Sequence, residues 1–399
     1  MRVLSFSYCF PQPGRPTWGV FVAQRLAALA RQVELEVASP VPTLPLLGRL
    51  GSASLPQQDE VMGLKVWRPR FAYLPGLLKS LDARLYARGL HGWLVRYLQK
   101  RTVDLLDAHF VWPDGVGVWL LARQVGLPYA ITLRGKIYPC LDVPAQRRQC
   151  ADALRNAAAV ISVDSRMAQI AVDLGAPADR VHVIPNGVDR KRFQPMNRVE
   201  ARAQLGLPAD GRLLVTVAHL GPRKGHREVI EALRLLPRDV RLVLVGGDPA
   251  GGANERALKS LARRTGVADR VILAGPQPYD RIPLYFAACD ASVLASYREG
   301  CPNVVLESLA CGRPVVATDV GAVPDLIDEA RNGRIVPARD VKSLTEGIRD
   351  VFEREWPPEA VRSSRAVRSW DEVAATVVDV LAACVGAERP SPCAGGRVE

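Results

Sequence analysis

Short apolar runs alternate along the chain with stretches whose hydrophobic residues recur every three or four positions. In the first half the runs Arg2–Ser7, Glu34–Ala38, Gly63–Arg68, Leu105–His109, Tyr129–Leu133, Ala159–Val163 and Val181–Ile184 read as strands. Several are apolar almost throughout, as in strands covered on both faces of a parallel sheet. Phe21–Arg31 and Gly115–Val125 read as helices among them. The second half repeats the style. Leu213–Ala218, Arg241–Val245, Val271–Ala274, Ala291–Leu294 and Pro314–Ala317 read as strands. Glu228–Leu235, Glu255–Thr265, Arg281–Ala288, Val304–Cys311 and Val341–Phe352 read as helices. Asp189–Gly211 is polar and broken by prolines, and reads as an inter-domain linker. No fixed-period repeat is present, and 386–399 reads as a disordered tail. The alternation predicts an α/β protein of two Rossmann-like domains with parallel sheets facing an inter-domain cleft. Ligands of such sheets sit beyond the carboxyl ends of the strands, so the cleft is the expected site.

The 399 residues fit two domains, and 48% hydrophobic with 24% charged residues excludes global disorder. The net charge is +12, from 53 basic and 41 acidic residues. The first 190 residues carry 23 of the basic and 14 of the acidic ones, which points that half toward anionic partners. No zinc spacing, helix-turn-helix signal or stacked aromatic motif supports a nucleic-acid partner. The eight cysteines form no C-x-x-C pair, and the proline-broken start MRVLSFSYCFPQPG is no export signal. No stretch approaches a membrane span, so the expectation is a reduced cytoplasmic protein that at most lies on a membrane.

Candidate chemistry clusters at strand ends. Arg223-Lys224-Gly225 turns from a strand into a helix, where a cation and backbone N–H groups suit a phosphate. Glu299 and Glu307 flank a Gly/Pro/Asn turn and a helix start, an arrangement for hydroxyl recognition beside an anion. Gly14, Trp18 and Gly19 lie in the loop after the first strand, where Gly19 allows close backbone approach. That loop lacks the full G-x-G-x-x-G dinucleotide fingerprint. His109 and Arg134-Gly135-Lys136 end two neighbouring strands.

These segments resemble the family 4 glycosyltransferases, retaining nucleotide-sugar enzymes of GT-B fold. Val183-Ile-Pro-Asn-Gly-Val-Asp189 with Phe193 is similar to the family's inter-domain signature. Gly221-Pro-Arg-Lys-Gly225 resembles its pyrophosphate loop, and Glu299 to Glu307 its E-x(7)-E motif. Gly321-Ala-Val-Pro-Asp325 resembles the segment after the next strand. The resemblance covers about 1–385. It implies an acceptor-side domain over 1–190, a donor-side domain over 191–365, and a last helix over 366–385 crossing back to the first domain. It also implies roles. Lys224 holds the donor diphosphate, and Glu307 the ribose hydroxyls. Glu299, with the backbone of Gly300, Cys301, Pro302, Asn303 and Val304, contacts the transferred sugar and its diphosphate. Gly19 sits by the diphosphate, His109 lies near the reacting sugar, and the loop from Gly275 to Gln277 takes the nucleobase. Two departures stand out. His219 occupies a place usually held by Arg, and Arg134 precedes Gly135 where many members have His. Imidazole is a cation only when protonated, so Arg223 is the alternative second charge.

The expected activity is transfer of a sugar from a nucleotide-diphosphate donor to a glycan or lipid-linked acceptor in cell-surface polysaccharide or glycolipid biosynthesis. The chain has no D-x-D pair, so no metal and no cofactor are expected. Lys224, with Arg223 or His219 and helix N-termini, would stabilise the leaving diphosphate. Residues 71–101 form a basic amphipathic pattern, with apolar residues at 74, 77, 78, 81, 85, 90, 93, 94, 97 and 98. This stretch either lies on an anionic membrane surface or packs on the N-terminal sheet. A catalytically silent nucleotide-sugar-binding protein and a nucleotide-sugar epimerase of the same fold are the alternatives. The sequence does not set the oligomeric state.

Overall fold

The structure, a computed structural model, describes residues 1–43, 55–73 and 79–386. The chain divides into two compact units, Met1–Asn186 with Trp370–Glu399, and Gly187–Ser369.

The first unit is built on eight strands. They are β1 (Arg2–Phe6), β2 (Glu34–Ala38), β4 (Gln58–Val61), β5 (Leu64–Trp67), β7 (Leu105–His109), β8 (Tyr129–Leu133), β9 (Ala159–Ser162) and β10 (Val181–Val183). Their order is β10-β9-β8-β7-β1-β2-β5-β4, and only β4 runs antiparallel to its neighbour. Two short strands, β3 (Val41–Thr43) and β6 (Arg70–Ala72), pair separately. Every residue of β7 and β8 is buried; β8 is an almost wholly apolar run, whereas β7 also buries Asp107 and His109. Because β1 lies between β7 and β2, the chain direction across the sheet reverses there. The loops after β1 and β7 open at that switch point; Gly19 lies in the first, and His109 is the last residue of β7 before the second.

The helix Trp370–Gly386 folds with this unit. Trp370, Val373, Val377 and Leu381 join the core formed by Val22, Leu26 and Leu29 of the helix Val20–Leu29, and Arg31 is ion-paired to Asp371. The helix begins at Trp370 rather than 366, and 387–399, read from sequence as a tail, lie outside the described residues.

The amphipathic stretch is shorter than its pattern implied. Residues 70–72 are strand β6, and the helix runs over Asp82–Leu98. Its apolar positions Leu90, Leu94 and Tyr97 are buried in the unit, with Tyr86 and Ala87, while Arg84, Arg88 and Arg96 are exposed. Positions 74, 77 and 78 lie outside the described residues.

The second unit carries β11 (Arg212–Val217), β12 (Val240–Val245), β13 (Val271–Gly275), β14 (Ala291–Leu294), β15 (Val315–Thr318) and β16 (Gly333–Val336). All run parallel in the order β13-β12-β11-β14-β15-β16. Numbered within the unit this is 3-2-1-4-5-6, the doubly wound order, with its switch point between β11 and β14.

Asp189–Gly211 corrects the linker expectation. The segment is folded into the second unit, which starts at Gly187 rather than 191. Phe193 is fully buried, and Asn197 caps the helix Arg198–Leu205 by accepting from the Val199 and Glu200 amides. Arg202, 4% exposed, donates to the carbonyls of Ala288, Ala209 and Gly211 and to Asp290 at 2.8–3.0 Å. Polar composition concealed this because a buried guanidinium with full partners is as fixed as an apolar anchor.

Candidate functional site

The second unit gathers its charges at the switch point. β11 ends at Val217, and a short turn through Pro222–Lys224 leads to the helix His226–Leu235. Gly225 has φ +68°, and a Cβ there would stand 1.9 Å from the Ala295 carbonyl oxygen. Only glycine lets this turn press against the chain leaving β14. Backbone bonds then tie the two loops. The Tyr297 amide donates to the Arg223 carbonyl at 2.9 Å, and Arg223 Nη1 donates to the Arg298 carbonyl at 2.8 Å. Tyr297 Oη donates to Glu228 at 2.6 Å, fastening the second loop to the helix that follows the first.

Between the tied loops, Lys224 Nζ donates to Glu299 Oε1 at 2.5 Å, with side-chain exposures of 14% and 11%. Behind Glu299, the Gly300 carbonyl accepts the Ala322 amide at 2.7 Å. Residues Gly300 to Pro302 lead into the helix Asn303–Ala310, so the positive end of its dipole faces the Lys224–Glu299 pair's loop. The sheet order thus brings together residues 75 apart in sequence.

His219 stands beside this cluster. Its Nδ1 accepts the Gly221 amide at 3.1 Å, so the ring is the neutral tautomer. Partial burial and the nearby Lys224 and Arg223 charges hold its pKa below the ordinary value. His219 thus accepts a backbone amide at Nδ1, and burial with the neighbouring cations disfavours a positive charge on its ring.

Glu307 lies in the helix Asn303–Ala310 and is 6% exposed. Tyr279 Oη donates to its Oε1 at 3.0 Å. Burial pushes the carboxyl up to about 7, against the opposing pull of that hydroxyl and of Arg192. Gly275 ends β13 with φ +68° and open space where a Cβ would be, and the Gln277 side chain donates through Nε2 to the Ala274 carbonyl at 2.7 Å.

The first unit has its own cluster at its switch point. His109 is 1% exposed, with Nε2 3.1 Å from Asp107 Oδ2. Ser5 Oγ donates to the same carboxylate at 2.6 Å, and the fully buried Arg25 acts on it electrostatically. Burial pushes His109 down to about 4 despite the opposing pull of Asp107. Arg134, also buried, donates to Asn186 Oδ1 at 3.1 Å and stacks 4.9 Å over Phe21. Gly19 has φ +72°, and a Cβ would meet the Cys9 carbonyl at 2.1 Å. A nearby carboxylate, Asp114, accepts from the Tyr8 amide and Tyr86 Oη and is pushed by burial up to about 7.

Sequence reasoning overlooked Asp107, Asp114, Tyr279, Arg192 and Tyr297. Asp107 was findable, because alternation on β7 puts residues 107 and 109 on one face. The others depend on loop geometry. Among the described residues no group of three or more His, Cys, Asp or Glu is placed to hold a metal ion.

Comparison with known proteins agrees with this architecture. The model for Glycosyltransferase Family 4 matches residues 10–192, and that for Glycosyl transferases group 1 matches 197–370. The chain is 30% identical over 374 residues to TuaC of Bacillus subtilis, a glycosyltransferase assigned to teichuronic acid biosynthesis, covering 90% of this chain and 91% of that protein. It is 28% identical over 414 residues to D-inositol 3-phosphate glycosyltransferase of Streptomyces coelicolor, covering 94% and 88%. Among solved structures, HepE of Anabaena in complex with UDP aligns with a TM-score of 0.75 at 22% identity, covering 96% of this chain and all of that one. Sucrose-phosphate synthase of Thermosynechococcus elongatus aligns with a TM-score of 0.74, also at 22% identity, over 96% and 98%.

Proposed function

The chain belongs to glycosyltransferase family 4, and from that premise we propose that it moves a sugar from a nucleoside-diphosphate donor to a glycan or lipid-linked acceptor, with retention of anomeric configuration and without a metal ion. The observation that carries this reading is the Lys224–Glu299 pair at the switch point of the second unit. As the glycosidic bond to the donor breaks, its electron pair leaves with the diphosphate. Negative charge grows on the phosphate oxygen, and Lys224 and the N-terminus of the helix Asn303–Ala310 are prearranged to receive it. The acceptor hydroxyl bonds to the anomeric carbon on the face the phosphate leaves, and its proton passes to the departing phosphate oxygen. Glu307 takes the ribose hydroxyls and Glu299 the transferred sugar. Arg223 rather than His219 is the second cation, since the His219 pKa is held low and its Nδ1 accepts the Gly221 amide. His109 serves as a hydrogen-bonding group for the sugar, with burial disfavouring its charged form.

The relative assigned to teichuronic acid biosynthesis supports a cell-surface polysaccharide as the product. No helix among the described residues is long and apolar enough to cross a membrane. The exposed Arg84, Arg88 and Arg96 support contact with an anionic membrane surface through charge alone, since the apolar side of their helix is packed inside the unit. The test is steady acceptor-dependent release of nucleoside diphosphate from a panel of UDP-, GDP- and ADP-sugars, with proton NMR of the product anomer. One active donor and a retained anomer are expected. Binding without release points instead to a silent nucleotide-sugar-binding protein, and conversion of free nucleotide sugar alone to an epimerase.

A further inference from the structure

Tyr279 begins the turn that follows β13, in the short helical turn Tyr279–Arg281. Its ring meets Phe193 at 5.6 Å between centroids, near edge-on, and Phe193 is itself fully buried against Phe286. The Arg192 guanidinium stacks 4.9 Å from the Tyr279 centroid. Two consecutive residues, Arg192 and Phe193, thus grip one ring. The ring remains 38% exposed, while its hydroxyl reaches inward to Glu307 Oε1 at 3.0 Å. An exposed tyrosine fixed on two partners and aimed at a buried carboxylate is more than core filling.

A carboxylate has about four acceptor positions on two oxygens, and a ribose presents two neighbouring hydroxyls as donors. With one acceptor position of Oε1 used by Tyr279, Glu307 still has room for both hydroxyls. It is also fixed in rotation, so its orientation is set before the nucleoside arrives. Resting on the reading of Glu307 as the ribose acceptor, we propose that Tyr279 is a positioning residue for nucleoside recognition. Its hydroxyl, donating to Oε1, orients the Glu307 carboxylate to receive the vicinal hydroxyls of a nucleoside diphosphate.

The groups facing Glu307 are Tyr279 and Arg192 from the segments packed on it and Cys311 from its own chain direction. Burial opposes the charge, whereas the Tyr279 hydroxyl and Arg192 favour it. A hydrogen bond to the charged form lowers an acid's pKa, so losing the hydroxyl raises it. Ribose recognition would then fail at a higher pH.

The test is calorimetric titration of the full chain with UDP, GDP and ADP, near pH 6 and near pH 8.5. It compares wild type, Tyr279→Phe and Glu307→Gln. The phenylalanine keeps the ring between Arg192 and Phe193 and removes only the hydroxyl. Expected for Tyr279→Phe is about tenfold weaker binding at the acid pH, affinity within about twofold at the alkaline pH, and a binding midpoint about one pH unit higher. Equal weakening at both pH values, or none at either, overturns the role of Tyr279. Glu307→Gln is expected to bind weakly at both, without the pH dependence. If Glu307→Gln loses binding while Tyr279→Phe matches wild type, the proposal fails and the reading of Glu307 stands. If Glu307→Gln binds like wild type, or no nucleotide binds the wild type, that reading fails and the proposal with it.

Discussion

Replacing Lys224 by alanine removes the ammonium that the structure places against Glu299, at 2.5 Å and with both side chains about nine-tenths buried. Two effects follow. In the folded protein the Glu299 carboxylate loses its partner. A fully buried pair costs about 3–5 kcal/mol when one member is removed, and an exposed one under about 1. This pair lies between those limits, so a loss of about 1–3 kcal/mol is expected. In the reaction, a preorganised donor aimed at growing negative charge is lost, which costs about 2.7–4 kcal/mol of transition-state stabilisation. Turnover should therefore fall about 10²–10³-fold in a coupled assay for nucleoside diphosphate release. Glu299→Gln separates the two roles. It frees Lys224 from its anionic partner, so nucleoside diphosphate binding should hold or tighten while turnover falls. Thermal midpoints of each variant check that the protein is folded at assay temperature. Lys224→Ala with kcat/KM within about tenfold of wild type would refute the assignment of the diphosphate to this lysine.

Three further outcomes are expected. Glu307 has a folded pKa near 7 against an ordinary 4.5, raised by burial. The folded state therefore holds this proton more tightly than the unfolded chain does. That contribution is full below about pH 4.5 and lost as the pH rises through about 7, and denaturant titrations of Glu307→Gln should show about 3 kcal/mol less decline over that window than wild type. Gly225→Ala, with its added carbon 1.9 Å from the Ala295 carbonyl, should push the Lys224 turn away from the Glu299 loop. Thermal stability and nucleotide affinity should then drop together, and a variant that keeps both would contradict the close approach. EDTA treatment should leave turnover unchanged, and recovery of lost activity by added Mg²⁺ or Mn²⁺ would overturn the metal-free reading.

The core strands were legible because burial on both faces writes itself as uninterrupted apolar runs. β8 and β14 have the limits that such runs imply, and β2 and β7 match their expected limits although Glu34, Glu36, Asp107 and His109 interrupt the apolar pattern. The edge and accessory strands β3, β4, β6 and β16 were not foreseen, since Gln58–Val61 and Gly333–Val336 mix charged and apolar residues without a clear period. The helix Arg198–Leu205 hid inside a polar stretch whose anchor is an arginine bonded to carbonyls that sequence cannot locate. The candidate site was legible where it lies at strand ends, because doubly wound topology directs those ends to one edge. Lys224 and Glu299 were named from opposite sides of 75 residues, and the sheet order makes them neighbours. What stayed hidden was the electrostatic state. The lowered pKa of His219 depends on burial and on the Lys224 and Arg223 charges, and that of His109 on complete burial. Tyr279 was invisible because its contact with Glu307 spans 28 residues and two loops.

The most direct measurement is a crystal structure of the protein grown with the nucleoside diphosphate that raises its melting temperature most. The account predicts the β-phosphate at Lys224 and the ribose hydroxyls within about 3 Å of Glu307. A nucleotide bound elsewhere, with Lys224 and Glu299 still paired and Glu307 untouched, would contradict it.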